Sequence, residues 1–435
     1  MIGDDWLEMV YDILPKDWRK TKLSEIANIS SGGSAPQGEK YFGGKWPFIR
    51  VSHLEVDNLA VDKWDLITDE AIKKYRLKIF PKGTIVFPKS GASIRLEKRA
   101  EIPNEAYIVN HLCTVLAKAT KVDQEFLLYA LRYHKFAKDK TDGYPTLTLK
   151  EIGNTYIALP PLPEQRAIAQ VLSTVRQAIE ATERVIAAAR ELKRSMMKYL
   201  FTYGPVPVDL ADQVKLKETE IGEVPEKWVE KILSELITFT KKPRKRNVST
   251  FDKIPFIPMD AISTDKLYPD YYIEKTPKDI SSGIYTEVGN LILAKITPSF
   301  ENGKQAIVSD LPNGFAYATT EVFSISPKDS EDMETIFLFH YLKRSEIRSH
   351  MAGKMEGTTG RQRVPIDVVK NLPLALPCKT DQKQIIYFID ALYKKIAAEE
   401  NHKSALEALF NSLLYNLMTG KVRVQVDLPS TKPID

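Results

Sequence analysis

Apolar and polar positions alternate between two regimes, and the alternation happens twice along the chain. Short apolar and β-branched runs at 48–51, 84–87 and 108–116 read as strands, as do 291–294 and 321–325 further on. Clusters of Gly, Pro, Asn and Ser separate them. Helical spacing at 124–138 and 333–350 predicts one helix in each stretch. Each stretch then closes on a proline stop, Leu159-Pro160-Pro161-Leu162-Pro163 and Leu376-Pro377, and a far longer periodic segment follows. The first stripe runs Ile168, Val171, Leu172, Val175, Ile179, Val185, Ile186, Ala189, Leu192, Met196, Leu200. The second runs Ile385, Phe388, Ile389, Leu392, Ile396, Leu406, Leu409, Phe410, Leu413, Leu417. Both have heptad-like helical spacing. Pro163 and Glu164 suit a first helical turn and Gly204-Pro205 its end; Thr380 suits an N-cap and Gly420 a stop. Each helix should span about 35–40 residues, roughly 55 Å.

The regimes repeat because the sequence does. Pro15-Lys16-Asp17-Trp18 with Leu23-Ser24-Glu25-Ile26 returns as Pro225-Glu226-Lys227-Trp228 with Leu233-Ser234-Glu235-Leu236. Pro47-Phe48-Ile49 answers Pro255-Phe256-Ile257, and Ala106-Tyr107 answers Ala316-Tyr317. Leu159-Pro160 with Glu164-Gln165 and Ile168 answers Leu376-Pro377 with Asp381-Gln382 and Ile385. The order is kept throughout. One such pair is chance, whereas a colinear set is a duplication.

This pattern predicts an α+β chain of two globular modules, each followed by one long helix. The expected boundaries are 1–158 for the first module, 159–205 for the first helical segment, 206–375 for the second module, 376–426 for the second helical segment and 427–435 for a tail. Two isolated apolar stripes of that length would expose much surface to water. Packing the helices on each other as an antiparallel coiled coil removes it and gives a pseudo-twofold internal repeat. The competing arrangement packs each helix on its own module.

Composition changes this picture little. Hydrophobic residues at 43% and charged residues at 27% are the balance of a soluble globular protein. A net charge of +5 permits nucleic-acid binding without arguing for it. Cys113 and Cys378 are too few and too far apart for a disulfide framework or a zinc site, and read as small apolar residues. The acidic start has no signal-peptide character and no apolar run is long enough to cross a membrane, so a cytoplasmic location is expected.

Catalytic motifs are missing from the sequence. Gly303-Lys304 lacks the rest of a Walker A loop, no GxGxxG follows a strand, and no Asn-Pro-Pro-Tyr or Asp-Pro-Pro-Tyr occurs. Asp270, Glu274 and Lys275 miss nuclease spacing, and histidines such as His53 and His111 lack paired-ligand spacing. What stands out instead is a set of small, polar, basic loops. Lys89, Ser90, Ser93 and Arg95 follow a strand in module one; Lys295, Thr297, Ser299, Asn302 and Lys304 hold the matching place in module two. Tyr144 and Thr146 are answered by Thr359, Arg361, Gln362 and Arg363, and a further basic run holds Lys241, Arg244, Lys245 and Arg246. Cations and hydroxyls of this kind bond phosphates and base edges, and Arg and Gln make bidentate base contacts. Each loop alone also reads as a solvated turn; recurrence at matching places favours binding.

The duplicated plan resembles the specificity subunit of type I restriction–modification systems. The resemblance is carried by Ile221-Gly222-Glu223-Val224-Pro225-Glu226-Lys227-Trp228, by Leu159-Pro160-Pro161-Leu162-Pro163-Glu164-Gln165-Arg166-Ala167-Ile168-Ala169, and by Leu417-Met418-Thr419-Gly420-Lys421-Val422-Arg423-Val424. The second copy, Leu376-Pro377-Cys378-Lys379-Thr380-Asp381-Gln382, departs by losing the doubled proline and the Glu. The resemblance implies two target recognition domains, each reading half of a bipartite asymmetric DNA sequence, with the helices setting the spacer. It implies two modification (methyltransferase) subunits and restriction/translocase subunits as partners of a non-catalytic, DNA-binding chain. S-adenosylmethionine, ATP and Mg would sit on those partners, with no cofactor in this chain. The rival reading is a two-headed coiled-coil scaffold that binds no DNA.

Overall fold

The computed structural model describes residues 14–56, 58–137, 144–358 and 360–425. It divides into two compact units, Met1–Thr182 with His402–Asp435, and Glu183–Asn401.

In unit one the strands are β1 (Arg19–Lys22), β2 (Ala27–Ser31), β3 (Phe42–Ile49), β4 (Asp65–Ile67), β5 (Ile79–Phe80), β6 (Ile85–Pro88), β7 (Ala100–Glu101), β8 (Ala106–Ile108), β9 (Leu112–Ala117) and β10 (Tyr156–Leu159). They form sheets ordered β2-β9-β6-β7 and β4-β3-β8-β5, plus a β1-β10 ribbon. β3 and β8 pair in parallel; every other named pair in this unit is antiparallel. The unbroken apolar run of β6 has a simple cause, since its sheet is covered on both faces. Ile85, Phe87, Cys113 and Val115 meet Phe126 and Leu127 of the helix Gln124–Tyr133, while Val86 and Leu112 turn to the second sheet and Phe48 and Ile108.

Unit two repeats this frame with β11 (Leu216–Thr219), β12 (Gly222–Pro225), β13 (Val229–Ile232), β14 (Ile237–Phe239), β15 (Ile254–Ile257), β16 (Ile273–Lys275), β17 (Ile284–Glu287), β18 (Leu291–Ala294), β19 (Gln305–Ile307), β20 (Phe315–Ala318), β21 (Val322–Pro327), β22 (Glu356–Thr358), β23 (Arg361–Arg363) and β24 (Pro373–Leu376). The sheets are β14-β21-β18-β19 and β16-β15-β20-β17, with a β13-β24 ribbon. The parallel strand pairing recurs, between β15 and β20. The hairpins β11-β12 and β22-β23 are additions among the described residues.

The repeated sequence words have local jobs. Trp18 and Trp228 each close a turn on the proline three residues earlier, N–H to Pro15 O at 2.9 Å and to Pro225 O at 3.0 Å. Leu23 with Ile26, and Leu233 with Leu236, bury the inner side of a one-turn helix. Gln165 and Gln382 are buried at the start of the long helices. Gln165 accepts from Asp123 N at 2.8 Å and donates to Pro160 O at 2.8 Å. Gln382 accepts from Glu334 N at 2.9 Å and donates to Asp332 O and Pro377 O. The Glu/Asp-Gln pair after each proline stop thus stitches a long helix to its module.

The long helices span Leu162–Tyr203 and Lys379–Met418. In unit one, Ile168, Ala169 and Leu172 share a core with Leu414, Leu417 and Met418 and with the module's own Trp18 and Phe126. In unit two, Met197, Leu200 and Phe201 share a core with Ile385, Ile389 and the module's Phe337. Arg190 there pairs with Glu400 at 2.6 Å, and the Lys193 ammonium lies 4.1 Å from the Tyr393 ring centre. Module and helix therefore share cores, an outcome between the two arrangements expected. Val185, Leu192 and Leu409 of the stripes remain exposed.

Several boundaries differ from expectation. The run 108–116 is two strands, because a turn at Val109 (Leu112 N to Val109 O, 3.0 Å) carries the chain from one sheet to the other. The helix expected at 333–350 breaks at Arg344 into Thr335–Lys343 and Ser345–Ala352. Thr380 lies inside its helix rather than capping it, since Gln382 N already bonds Cys378 O. Cys113 is buried, its thiol pushed up to about 12 by burial, whereas Cys378 is exposed.

At the far ends of the long helices, Gly204 and Gly420 both adopt positive φ, +81° and +68°. Gly204 sits against Trp228 and Pro225, and Gly420 against Trp18 and Pro15. Beyond Gly420, Arg423 reaches Glu164 at 2.5 and 2.7 Å and Asp17 at 2.7 and 3.0 Å, while the Trp18 indole N–H donates to Glu164 at 3.1 Å. In unit two the shorter Asp381 pairs with Lys227 at 2.8 Å, and the Trp228 indole N–H has no partner among the described residues.

Candidate nucleic-acid interface

Each module brings two of the sequence-selected loops together at the same place. In module one, Ser90 and Thr146 form an antiparallel bridge, flanked by Gly91 N to Pro145 O at 2.9 Å and Leu147 N to Lys89 O at 2.8 Å. In module two, Ile296 and Arg363 form the bridge, flanked by Thr297 N to Gln362 O at 2.9 Å and Val364 N to Lys295 O at 2.8 Å. The hydrogen bonds match one for one. Backbone pairing fixes these segments, so the side chains between them can differ freely.

Within module one, Lys89 and Ser90 are half-buried at the exit of β6. Ser93 and Arg95 lie on the short turn Ala92–Leu96, pinned by buried Ile94. Tyr144 is 64% exposed, its ring over Gly91, and Thr146 is exposed beside it. Ser90 Oγ lies 2.7 Å from His111 Nδ1.

In module two many polar groups face inward. Lys304 donates to Met259 O at 2.8 Å, and Thr297 Oγ1 donates to Gln362 O at 3.3 Å. Lys295 is half-buried with its ammonium 5.3 Å from the Phe323 ring; burial holds its pKa below the usual lysine range, with Glu321 opposing. Arg363 forks onto Glu321 at 2.9 and 2.6 Å, which lowers the Glu321 carboxyl chiefly through that hydrogen bond. Ser299 is half-buried, while Asn302 and Arg361 are exposed; Gln362 contributes its backbone carbonyl to Thr297. Thr359 lies outside the described residues.

The third loop separates. Lys241, Arg244 and Lys245 are exposed beyond β14. Arg246 turns away to the other sheet, donating to Tyr285 OH at 2.7 Å and lying 3.6 Å from Glu287. An arginine held by a carboxylate and a phenol is part of the frame.

Sequence reasoning passed over His111 and Glu321 as site residues. Each holds its loop by the same carbonyl, His111 O to Lys89 N at 2.9 Å and Glu321 O to Lys295 N at 3.0 Å. Each side chain then fixes a different partner, Ser90 or Arg363. The usable signal was their 210-residue separation, equal to that of the Pro-x-x-Trp words. The motif fragments noted as incomplete are separate pairs. Lys266 pairs with Asp270, Lys253 with Glu274 at 2.6 Å, and Lys275 lies over Phe256. His53 bonds Arg50 N, and burial lowers its pKa against the pull of Asp65. Among the described residues no group of three or more His, Cys, Asp or Glu is placed to hold a metal, and no helix is long and apolar enough to cross a membrane.

The family model for the type I restriction modification DNA specificity domain matches residues 15–190 and again 225–408. The chain belongs to this family. The two matched stretches of the specificity domain start 210 residues apart, the offset of the repeat. The type I restriction enzyme MjaVIII specificity subunit of Methanocaldococcus jannaschii is 24% identical over 433 residues, covering 95% of this chain and 94% of that one. Two solved structures share the fold. The type I restriction–modification S subunit from M. genitalium has a TM-score of 0.54 at 15% identity, covering 92% of this chain and 96% of that one. A chain from a study of complex assembly and conformational transition of the type I R-M system has a TM-score of 0.56 at 17% identity, covering 94% and 99%. A specificity domain, present twice, is thus the frame on which the paired loops are mounted.

Proposed function

We propose that this chain is the DNA-recognition subunit of a type I restriction–modification complex, each module reading one half of a bipartite, asymmetric DNA sequence. The observation that carries the reading is the pair of matched loop bridges, Ser90–Thr146 and Ile296–Arg363, which present different side chains from one backbone frame. Equal frames with unequal side chains suit two readers of different half-sites. The family match favours this over a scaffold that binds no DNA.

In this reading the long helices form an antiparallel coiled coil that sets the unspecific spacer and docks two methyltransferase subunits, which restriction/translocase subunits join. S-adenosylmethionine, ATP and Mg belong to those partners, which do the chemistry; a base to be methylated must leave the stack to reach its pocket. This chain holds the DNA on either side and works in the cytoplasm. A net charge of only +5 fits a reader that leaves much phosphate neutralisation to its partners.

The test is methylation sequencing of the host with and without the gene. Bipartite, non-palindromic sites should vanish with it; palindromic sites throughout would refute two different readers. Inserting one heptad into both long helices should change the spacer and leave both half-sites alone.

A further inference from the structure

The loop bridges define a residue-to-residue equivalence between the modules. Thr146 matches Arg363, Pro145 matches Gln362 and Leu147 matches Val364, because each makes the same backbone bond to the strand opposite. Two residues before the bridge, Tyr144 therefore matches Arg361. Residues two apart on an extended strand share a face, so Arg361 lies about 6–7 Å further out than Arg363 on the same side. In module one the exposed Tyr144 and Thr146 flank buried Pro145, so Tyr144 keeps the side of its bridging residue although the backbone bends there.

These two matched positions share one feature that several of the polar side chains around them lack. Arg363 is tied to Glu321, Lys304 to the Met259 carbonyl, and Ser90 to His111. Tyr144 and Arg361 are exposed, on backbone fixed from behind. Arg361 starts β23, paired through Thr358 with β22, whose residues are all exposed. Gly357 at φ +131° admits no side chain, because a Cβ would fall 2.7 Å from Arg361 O, so the strands close tightly behind the arginine. A two-stranded ribbon of this kind fits the major groove, where an arginine fork matches guanine O6 and N7. Tyr144 has no cation to offer. It presents an aromatic ring, held over Gly91, whose carbons suit contact with the thymine methyl.

We propose that Tyr144 and Arg361 are the equivalent base-selecting positions of the two modules, Arg361 choosing guanine in one half-site and Tyr144 a thymine-bearing pair in the other. The assignment rests on the DNA-recognition reading, and goes beyond it in naming one residue per module and the base each takes. It also removes Arg363 from the readers and makes it, with Glu321, a positioning pair for the ribbon.

The experiment uses the full chain purified with its methyltransferase subunits. A pool of randomised duplexes is selected on the complex and sequenced, for the wild type and for Arg361→Ala, Arg361→Lys, Tyr144→Phe and Tyr144→Arg. Wild type should return a bipartite consensus. Arg361→Ala should lose roughly ten- to a hundredfold discrimination at one guanine, with every other position unchanged. Arg361→Lys keeps the charge but not the fork, so it should recover affinity at low salt and not the discrimination. Tyr144→Phe should keep the wild-type preference, and Tyr144→Arg should introduce a guanine preference at one position of the other half-site. If Arg361→Ala weakens all sequences alike and lowers the salt slope by about one, the residue contacts phosphate and the proposal fails. If the wild type selects a consensus that none of the variants alters, this assignment alone falls. If the wild type selects no sequence, the recognition reading falls with it.

Discussion

Arg423→Ala tests whether the segment just beyond the second long helix is a structural part of the first module. Arg423 is 41% exposed at the side chain, but its main partner Glu164 is only 6% exposed and also accepts the Trp18 indole N–H. Removing the guanidinium leaves a buried carboxylate with one neutral donor. Breaking a fully buried ion pair costs about 3–5 kcal/mol. Arg423 is partly in water, and that screening reduces the expected loss to about 2–3 kcal/mol. The Asp17 contacts are solvent-exposed and are left out of that figure. All the groups concerned lie in unit one, so unit two is an internal control. Hydrogen exchange followed peptide by peptide is the suitable assay, because two units need not unfold in one transition. Protection around residues 18–22 and 162–172 should fall by the equivalent of about 2–3 kcal/mol, roughly a 30- to 160-fold faster exchange. Exchange in β18 and β21 should not move. Arg423→Lys should recover less than half the loss, since a lysine cannot fork onto two carboxylates. A loss below about 0.5 kcal/mol in unit one, or equal losses in both units, would refute the reasoning.

Three further outcomes follow from the same geometry. Gly420→Ala should destabilise unit one by more than Gly204→Ala destabilises unit two in chemical denaturation, because a Cβ would fall 2.6 Å from Pro15 in the first and 3.6 Å from Trp228 in the second, at similar positive φ. Gln382→Ala should cost about 2–3 kcal/mol in unit two, leaving Glu334 N and two carbonyls unpaired, a loss read from the urea midpoint. The His134 imidazole is held down to about 4, first by burial and then by Arg99, against 6.5 for the free side chain. The unfolded chain therefore takes up that proton first, and stability should fall as pH drops from about 6.5 to 4, by about 3 kcal/mol in all. A pH series of unit-one stability checks this, and His134→Phe should flatten the slope; an unchanged slope would remove His134 as its source.

Much of this frame could be read along the chain, for reasons that are local. The Pro-x-x-Trp words, the Glu-Gln step after a proline stop and the two long stripes each encode a backbone event within a few residues. A self-comparison finds them wherever they recur. The strand β18 was legible to the residue because both faces of its sheet are buried, leaving an unbroken Leu-Ile-Leu-Ala run. Residues 108–116 misled for the same reason. An apolar run buried in two successive sheets carries no mark where the chain crosses from one to the other. The inward fates of Lys304, Arg246 and Arg363 were not legible either. Each is fixed by a group 39 to 45 residues away, the Met259 carbonyl, Tyr285 OH and Glu321, which no local pattern announces.

This division between local frame and distant partner bears on how such a chain can change what it reads. The frame of each recognition loop is held by backbone bonds, Gly91 to Pro145 and Thr297 to Gln362, which do not depend on the side chains that face outward. An exposed substitution at Tyr144 or Arg361 should move stability by no more than about 0.5 kcal/mol. Exchanging a bidentate base contact, as proposed for Arg361, changes discrimination by about 1–3 kcal/mol. On the proposed assignment, recognition is rewritten at these positions by more than stability is disturbed. At Gln165 and Gln382 the balance is reversed, since these buried side chains bond the backbone and touch no surface. Two copies that share the second kind of residue and differ in the first are what that difference in free energy permits. On the proposed assignment it places the asymmetry of the target in a few exposed side chains rather than in two different folds.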